Sequence, residues 1–144
     1  MLPRTYVHSR YTRCAYTHYG YIEDMTDTKP TVRALLPLPL ATFHILMSLA
    51  DGERHGYAII QEVAERTGGD LKLSAGTLYR SIQRMQDQKL IAESRRRPAS
   101  IRDDERRRYY RITPFGKEVA LAEAARLQQL VRLARSSGLA PGRA

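Results

Sequence analysis

Residues 74–94 read SAGTLYRSIQRMQDQKLIAES, and the pattern in this stretch decides the fold. Ser74 precedes a run in which Leu78, Ile82 and Met85 recur at helical spacing. The run therefore predicts a helix that Ser74 caps and that ends near Lys89. With about 100° of rotation per residue, an inward Leu78, Ile82 and Met85 leaves Gly76, Arg80, Gln83 and Arg84 on the opposite face, flanked by Thr77 and Tyr79. Directly behind the helix, LIAES (90–94) has strand character.

Toward the N-terminus, two further helices are predicted. Leu38, Ala41, Ile45, Leu46 and Leu49 mark one buried face over 38–50, and Asp51-Gly52 stops it. From about Gly56, Tyr57, Ile60, Val63 and Ala64 mark another, which ends in TGGD (67–70), whose glycines suit a helix C-cap. Toward the C-terminus, RRYYRIT (107–113) is a second strand, separated from the first by the charged, turn-prone RRRPASIRDDER (95–106). The pair predicts a hairpin with a long tip. Pro114 behind Thr113 opens a last helix running to about Arg135, with Ala120, Ala124, Leu127, Leu130, Val131 and Ala134 as its apolar stripe.

Three helices and a basic hairpin are the order of a winged helix, in which the third helix enters the DNA major groove and the hairpin grips the flanking backbone. The expected fold is thus mainly α with a small β-hairpin: a winged helix-turn-helix domain over 35–112 and a dimerisation helix over 113–136. Residues 1–34 are expected to be a disordered tyrosine-rich leader and 137–144 a disordered tail. Tyr6, Tyr11, Tyr16, Tyr19 and Tyr21 are five of the nine tyrosines, and too few aliphatic groups accompany them to offset ordering entropy. Met25 is an alternative start of translation, and an arm using Arg4, Arg10 and Arg13 to reach a DNA groove is the functional reading of the same leader.

The residue chemistry favours a polyanionic partner. The 144-residue chain has 24 basic and 15 acidic side chains, a net charge of +9. Within the 17 residues 95–111 there are eight arginines against three acidic groups, a net +5, a self-repelling run that double-stranded DNA would neutralise. Arg80 and Arg84 can donate bidentately to guanine or to phosphate, and Gln83 can pair with adenine. Ser74 and Thr77 can hold a phosphate beside the free amides of the helix start. The wing candidates are Arg95, Arg96, Arg97, Arg102, Arg106, Arg107 and Arg108, and Asp87 on the reading face opposes such a role.

Other classes find little support. The four histidines, His8, His18, His44 and His55, lack the neighbours of a catalytic or metal site, and His55 reads as a capping or turn residue. There is no GxGxxG, Walker or HExxH motif, and the one cysteine, Cys14, allows no internal disulfide. No cofactor, metal or catalytic residue is expected. No apolar run approaches the length of a membrane span, so a cytoplasmic, nucleoid-associated protein is expected. An architectural or RNA-binding winged helix, or a protein-interaction adaptor, are the alternatives.

HGYAIIQEVAERTGGDLKLSAGTLYRSIQRMQDQKLIAES (55–94), followed by RRYYRITPFGKE (107–118), resembles the PadR family of winged-helix transcriptional regulators over about residues 35–135. The single long terminal helix is similar to the shorter subgroup. The resemblance implies a homodimer built through the terminal helix, bound to a palindromic operator as a repressor of nearby genes. It also implies that Tyr79 touches phosphate and that Thr77 and Arg80 lie along the DNA. A small-molecule effector between protomers varies among members, so no ligand residue carries over. The tyrosine-rich leader and the long arginine-rich wing tip depart from the family pattern.

Overall fold

The computed structural model describes residues 30–94 and 107–139. Four α-helices and three short strands follow in the order α1 (Leu40–Ala50), β1 (Arg54–His55), α2 (Gly56–Arg66), α3 (Ala75–Asp87), β2 (Ile91–Ser94), β3 (Tyr109–Ile112) and α4 (Pro114–Ser136), with a 3-10 turn at Val32–Leu35 ahead of them. The sheet is antiparallel with β3 in the middle, β1 on one side and β2 on the other.

The predicted apolar faces meet in one core. Ile45, Leu46 and Leu49 of α1, Ile59 and Val63 of α2, Leu78, Ile82 and Met85 of α3, Tyr110 of β3 and Val119 of α4 are all buried there. Each large aliphatic side chain buried in this way stabilises the fold by roughly 1.5–3 kcal/mol. The first helix begins at Leu40, two residues later than its apolar period, because Leu38 precedes Pro39 and a residue before proline is pushed out of the α region. Leu38 is nonetheless buried. Val32, in the stretch assigned to the leader, and Leu35, the first residue assigned to the domain, also pack against the core.

Three joints fix α3 and the hairpin. Lys89 adopts a left-handed conformation (φ 60°) at the end of α3, where Leu90 N–H donates to Met85 O (2.8 Å) and Lys89 N–H to Gln86 O (3.0 Å). This is a Schellman ending with lysine at the position that usually favours glycine. Next to it, Thr113 N–H donates to Leu90 O (3.0 Å), and the Thr113 hydroxyl lies 2.6 Å from Lys89 O and 3.0 Å from Leu90 O. The same hydroxyl oxygen accepts the Gly116 N–H (2.9 Å), which caps α4. Gly116 is pressed so closely on Leu90, the residue ahead of β2, that a Cβ there would stand 1.9 Å from Leu90 O. The end of α3, the close of the hairpin and the start of α4 are therefore one rigid corner. At the other edge, Arg54 Nε donates to Ser48 O (2.7 Å) and ties β1 to α1.

α4 divides into two halves. Its first half packs on α1 through Val119 and Ala120. There Glu123, 2% exposed, accepts two hydrogen bonds from Arg126 (2.7 and 2.8 Å). Those bonds, helped by a backbone hydrogen bond from Leu38, lower its carboxyl from the ordinary glutamate value against the opposing effect of burial. Beyond Leu127 the stripe comes into the open: Leu130 is 48% and Val131 45% exposed.

Candidate nucleic-acid interface

α3 presents the face that its apolar spacing dictates. Gly76, Tyr79, Arg80, Gln83 and Arg84 are exposed and Thr77 is half-buried, while Leu78, Ile82 and Met85 are inside. Ser74 is the cap: its Oγ accepts the Thr77 N–H (3.2 Å) and sits 2.9 Å from the Thr77 hydroxyl. The Ser74 oxygen is thereby occupied within the chain, and further donors at this end must come from the other first-turn amides and the Thr77 hydroxyl. Arg80 Nε donates to Gly76 O (3.3 Å), which holds the guanidinium along the helix and leaves its two terminal nitrogens for an acceptor. Gln83 Nε2 donates to Asp87 Oδ1 (3.2 Å). Asp87 thus holds the Gln83 amide from within the same face, and the Gln83 carbonyl and second N–H are left for a partner.

The hairpin leaves the sheet beside this helix. Arg107 and Arg108 are exposed at the start of β3, and Arg108 Nε stands 3.9 Å from Glu93 Oε1 across the strand pair. Arg95, Arg96, Arg97, Arg102 and Arg106 lie outside the described residues. The sheet also has a member that the sequence did not announce: β1, two residues long, pairs Arg54 with Tyr110 and His55 with Tyr109. The His55 and Tyr109 rings meet edge to face, 5.5 Å between centroids. His55 also fills its expected capping role, since its Nδ1 accepts the Ala58 N–H (3.1 Å) at the start of α2.

These elements enclose an open cleft of about 430 Å³ between the base of the wing, the start of α2 and the shoulder of α3. Tyr57 and Tyr79 line it from the helices, Tyr110, Arg107 and Arg108 from the wing. Sequence reasoning placed Tyr79 and the two arginines among the candidates and passed over Tyr57 and Tyr110. The available hint was glycine at position 56, where a Cβ would come 3.2 Å from the Tyr79 hydroxyl and 3.3 Å from Leu78 Cδ2, close enough that any larger residue would press on the α3 tyrosine lying over the α2 terminus.

The second candidate surface is the open half of α4. Ala124, Leu127 and Val131, with Phe43 of α1, form the apolar floor of a shallow groove edged by Arg132 and Arg135. Ala134 is half-buried. Ala120 belongs to the intramolecular contact, packed on the core. Among the described residues there is no cluster of side chains suited to a metal ion, and no helix is long and apolar enough to cross a membrane.

Comparison with known proteins agrees with this geometry. The model of the transcriptional regulator PadR-like family matches residues 45–122. A transcriptional regulator of Mycobacterium tuberculosis is 33% identical over 89 residues, which cover 62% of this chain and 77% of that protein. Uncharacterized protein X of Lysinibacillus sphaericus is 34% identical over 73 residues, 51% of this chain. The chain spans 64% of the length of that relative. Among solved structures, a PadR family transcription regulator from Clostridium difficile R20291 superposes with a TM-score of 0.59 at 24% identity, covering 68% of this chain and 97% of that one. A transcriptional regulator from Clostridium thermocellum gives 0.56 at 23% identity, over 67% and 87%.

Proposed function

The chain belongs to the PadR-like family of transcriptional regulators, DNA-binding proteins rather than enzymes, and from that premise we propose that it is a homodimeric repressor of nearby genes that binds a palindromic operator. The observation that carries this reading is the α3 surface: a helix anchored by three buried side chains presents Arg80, Gln83 and Arg84 outward, next to a basic wing. Arg80 and Arg84 read guanine edges, Gln83 reads adenine, and Ser74, Thr77 and Tyr79 fix the helix on the backbone. Arg95, Arg96, Arg97, Arg102, Arg106, Arg107 and Arg108 supply phosphate contacts that set affinity rather than sequence.

The exposed half of α4 is the dimer surface in this reading. Leu127, Leu130, Val131 and Ala134, continued by Ala124, pair with the same residues of a second copy. An isologous contact of this kind gives the assembly a two-fold axis and spaces two reading helices by about one turn of DNA, ~34 Å. A small-molecule effector would act by changing that spacing, and the protein would work on the chromosome in the cytoplasm.

Selection of bound duplexes from a random pool tests the proposal. Enrichment of an inverted repeat with half-site centres about 10 base pairs apart is the expected outcome. Recovery of unrelated sequences would point to an architectural protein, and recovery of unrepeated single sites would remove the symmetric dimer.

A further inference from the structure

Tyr110 is 3% exposed, yet its side chain reaches the cleft at the base of the wing. Among the described residues its hydroxyl makes no hydrogen bond, although no buried side-chain oxygen or nitrogen is stranded without one. The hydroxyl therefore opens into the cleft rather than into the core. A phenol end left uncommitted in an otherwise packed site is unusual, because tyrosine hydroxyls normally find a partner when buried. Burial, with Glu93 and Tyr79 nearby and against the influence of Arg108, pushes its pKa above the ordinary tyrosine value, so the group keeps its proton and can donate it. Across the cleft, the Tyr79 hydroxyl lies against the start of α2, and Arg108 supplies positive charge at the rim, with the Glu93 carboxylate 3.9 Å from its Nε.

We propose that this cleft seats one DNA backbone phosphate, which the Tyr110 and Tyr79 hydroxyls clasp from the wing strand and the reading helix together, with Arg108 as the accompanying cation. The proposal rests on the DNA-binding reading above and adds to it a residue, Tyr110, from the interior face of the wing. Two neutral donors and a guanidinium, Tyr110 and Arg108 on the wing and Tyr79 on α3, match a tetrahedral oxyanion that must be approached from more than one side. The open shape suits a phosphodiester, whose chain has to enter and leave. The seat has a mechanical consequence: a single phosphate would fix the angle between wing and reading helix, and so the register in which Arg80 and Arg84 meet the bases.

Tyr110→Phe and Tyr79→Phe in the full chain test this, since each removes one oxygen and no packing. Binding is read by fluorescence anisotropy on the duplex upstream of the protein's own gene and on a scrambled duplex. Each variant is expected to melt like the wild type and to lose roughly tenfold in affinity on both duplexes alike, the effect of one hydrogen bond to a charged group. The slope of log affinity against log salt should stay the same, because no cation has been removed. On a duplex scanned with methylphosphonates, one of the neutralised positions that weaken the wild type should add nothing to the loss in Tyr110→Phe, while the others add to it. Wild-type binding that survives both substitutions undiminished would overturn the phosphate seat and leave the DNA reading intact. A wild type that binds no duplex would overturn the DNA reading itself. Should Tyr110→Phe melt early, the exposed Tyr79→Phe carries the test alone.

Discussion

Replacing Gly116 by alanine sets two physical effects against each other. Glycine inside a helix is normally a liability, and alanine there gains up to about 1 kcal/mol. At this position, however, the new Cβ would stand 1.9 Å from Leu90 O, 2.8 Å from Leu90 C and 3.1 Å from Ile112 Cγ1. Two of those three atoms are backbone and cannot rotate away, so the strand and the helix must separate. That movement strains the Thr113 N–H bond to Leu90 O (3.0 Å) and the hydroxyl contacts at 2.6 and 3.0 Å. Overpacking costs about 1–3 kcal/mol and each weakened hydrogen bond about 1 kcal/mol. After the helix gain is subtracted, the expected net loss is roughly 3 kcal/mol, a large part of the 5–15 kcal/mol typical of a small domain. Gly76→Ala is the matched control, since nothing stands within 4 Å of its Cβ position, and it should stabilise by about 0.5–1 kcal/mol. Urea unfolding followed by circular dichroism, at one protein concentration for all variants, measures both. A Gly116→Ala protein as stable as the wild type, or more so, would refute the corner formed by Leu90, Thr113 and Gly116.

Three further outcomes are expected. Leu127→Asp combined with Val131→Asp should convert dimers to monomers in light scattering, without unfolding, because Val131 lies on the exposed half of α4 and Leu127 at its border; dimers that persist would move the interface elsewhere. Glu123→Gln should cost on the order of 2 kcal/mol at neutral pH by weakening a buried, doubly hydrogen-bonded carboxylate. Its folded-state carboxyl is lowered from 4.5, so the stabilisation is present above that value and fades as pH falls below it; the gap between wild type and variant should close on acidification, and a gap independent of pH would contradict the charge pairing. Arg80→Ala and Arg84→Ala should each weaken binding to the enriched operator by about 1–3 kcal/mol and hardly affect scrambled DNA, whereas equal losses on both would make them phosphate contacts.

Periodicity made most of the fold legible. Leu78, Ile82 and Met85 fixed the orientation of α3, and with it the exposure of Arg80, Gln83 and Arg84, because a helix anchored on one face has no freedom in what the other presents. Ser74, Thr113 and Pro114 marked their helix starts because capping and a fixed φ are local properties. What escaped was long-range. β1 is two residues long, too short for any alternation, and exists only because β3 offers an edge to Arg54 and His55. Tyr110 has the same sequence character as Tyr109, and only the pleat of β3 sends one into the core while the other meets His55. The division of α4 into a packed and an open half falls where the start of α1, marked by Phe43, lies beside it. Its stripe of alanine, leucine and valine is continuous, so Ala120 and Val131 look alike in sequence and differ in what they touch.

The central claim is that α3 reads sequence while the wing holds the backbone. Its most direct test is the affinity of the purified chain for the duplex upstream of its own gene, against a scrambled duplex of equal length, by fluorescence anisotropy at two salt concentrations. Tighter binding to the upstream duplex is expected at both, by about 10³-fold or more, with both affinities falling as salt rises. Equal affinities that collapse together with salt would contradict it, because they would leave only the arginines and the phosphates in the interaction.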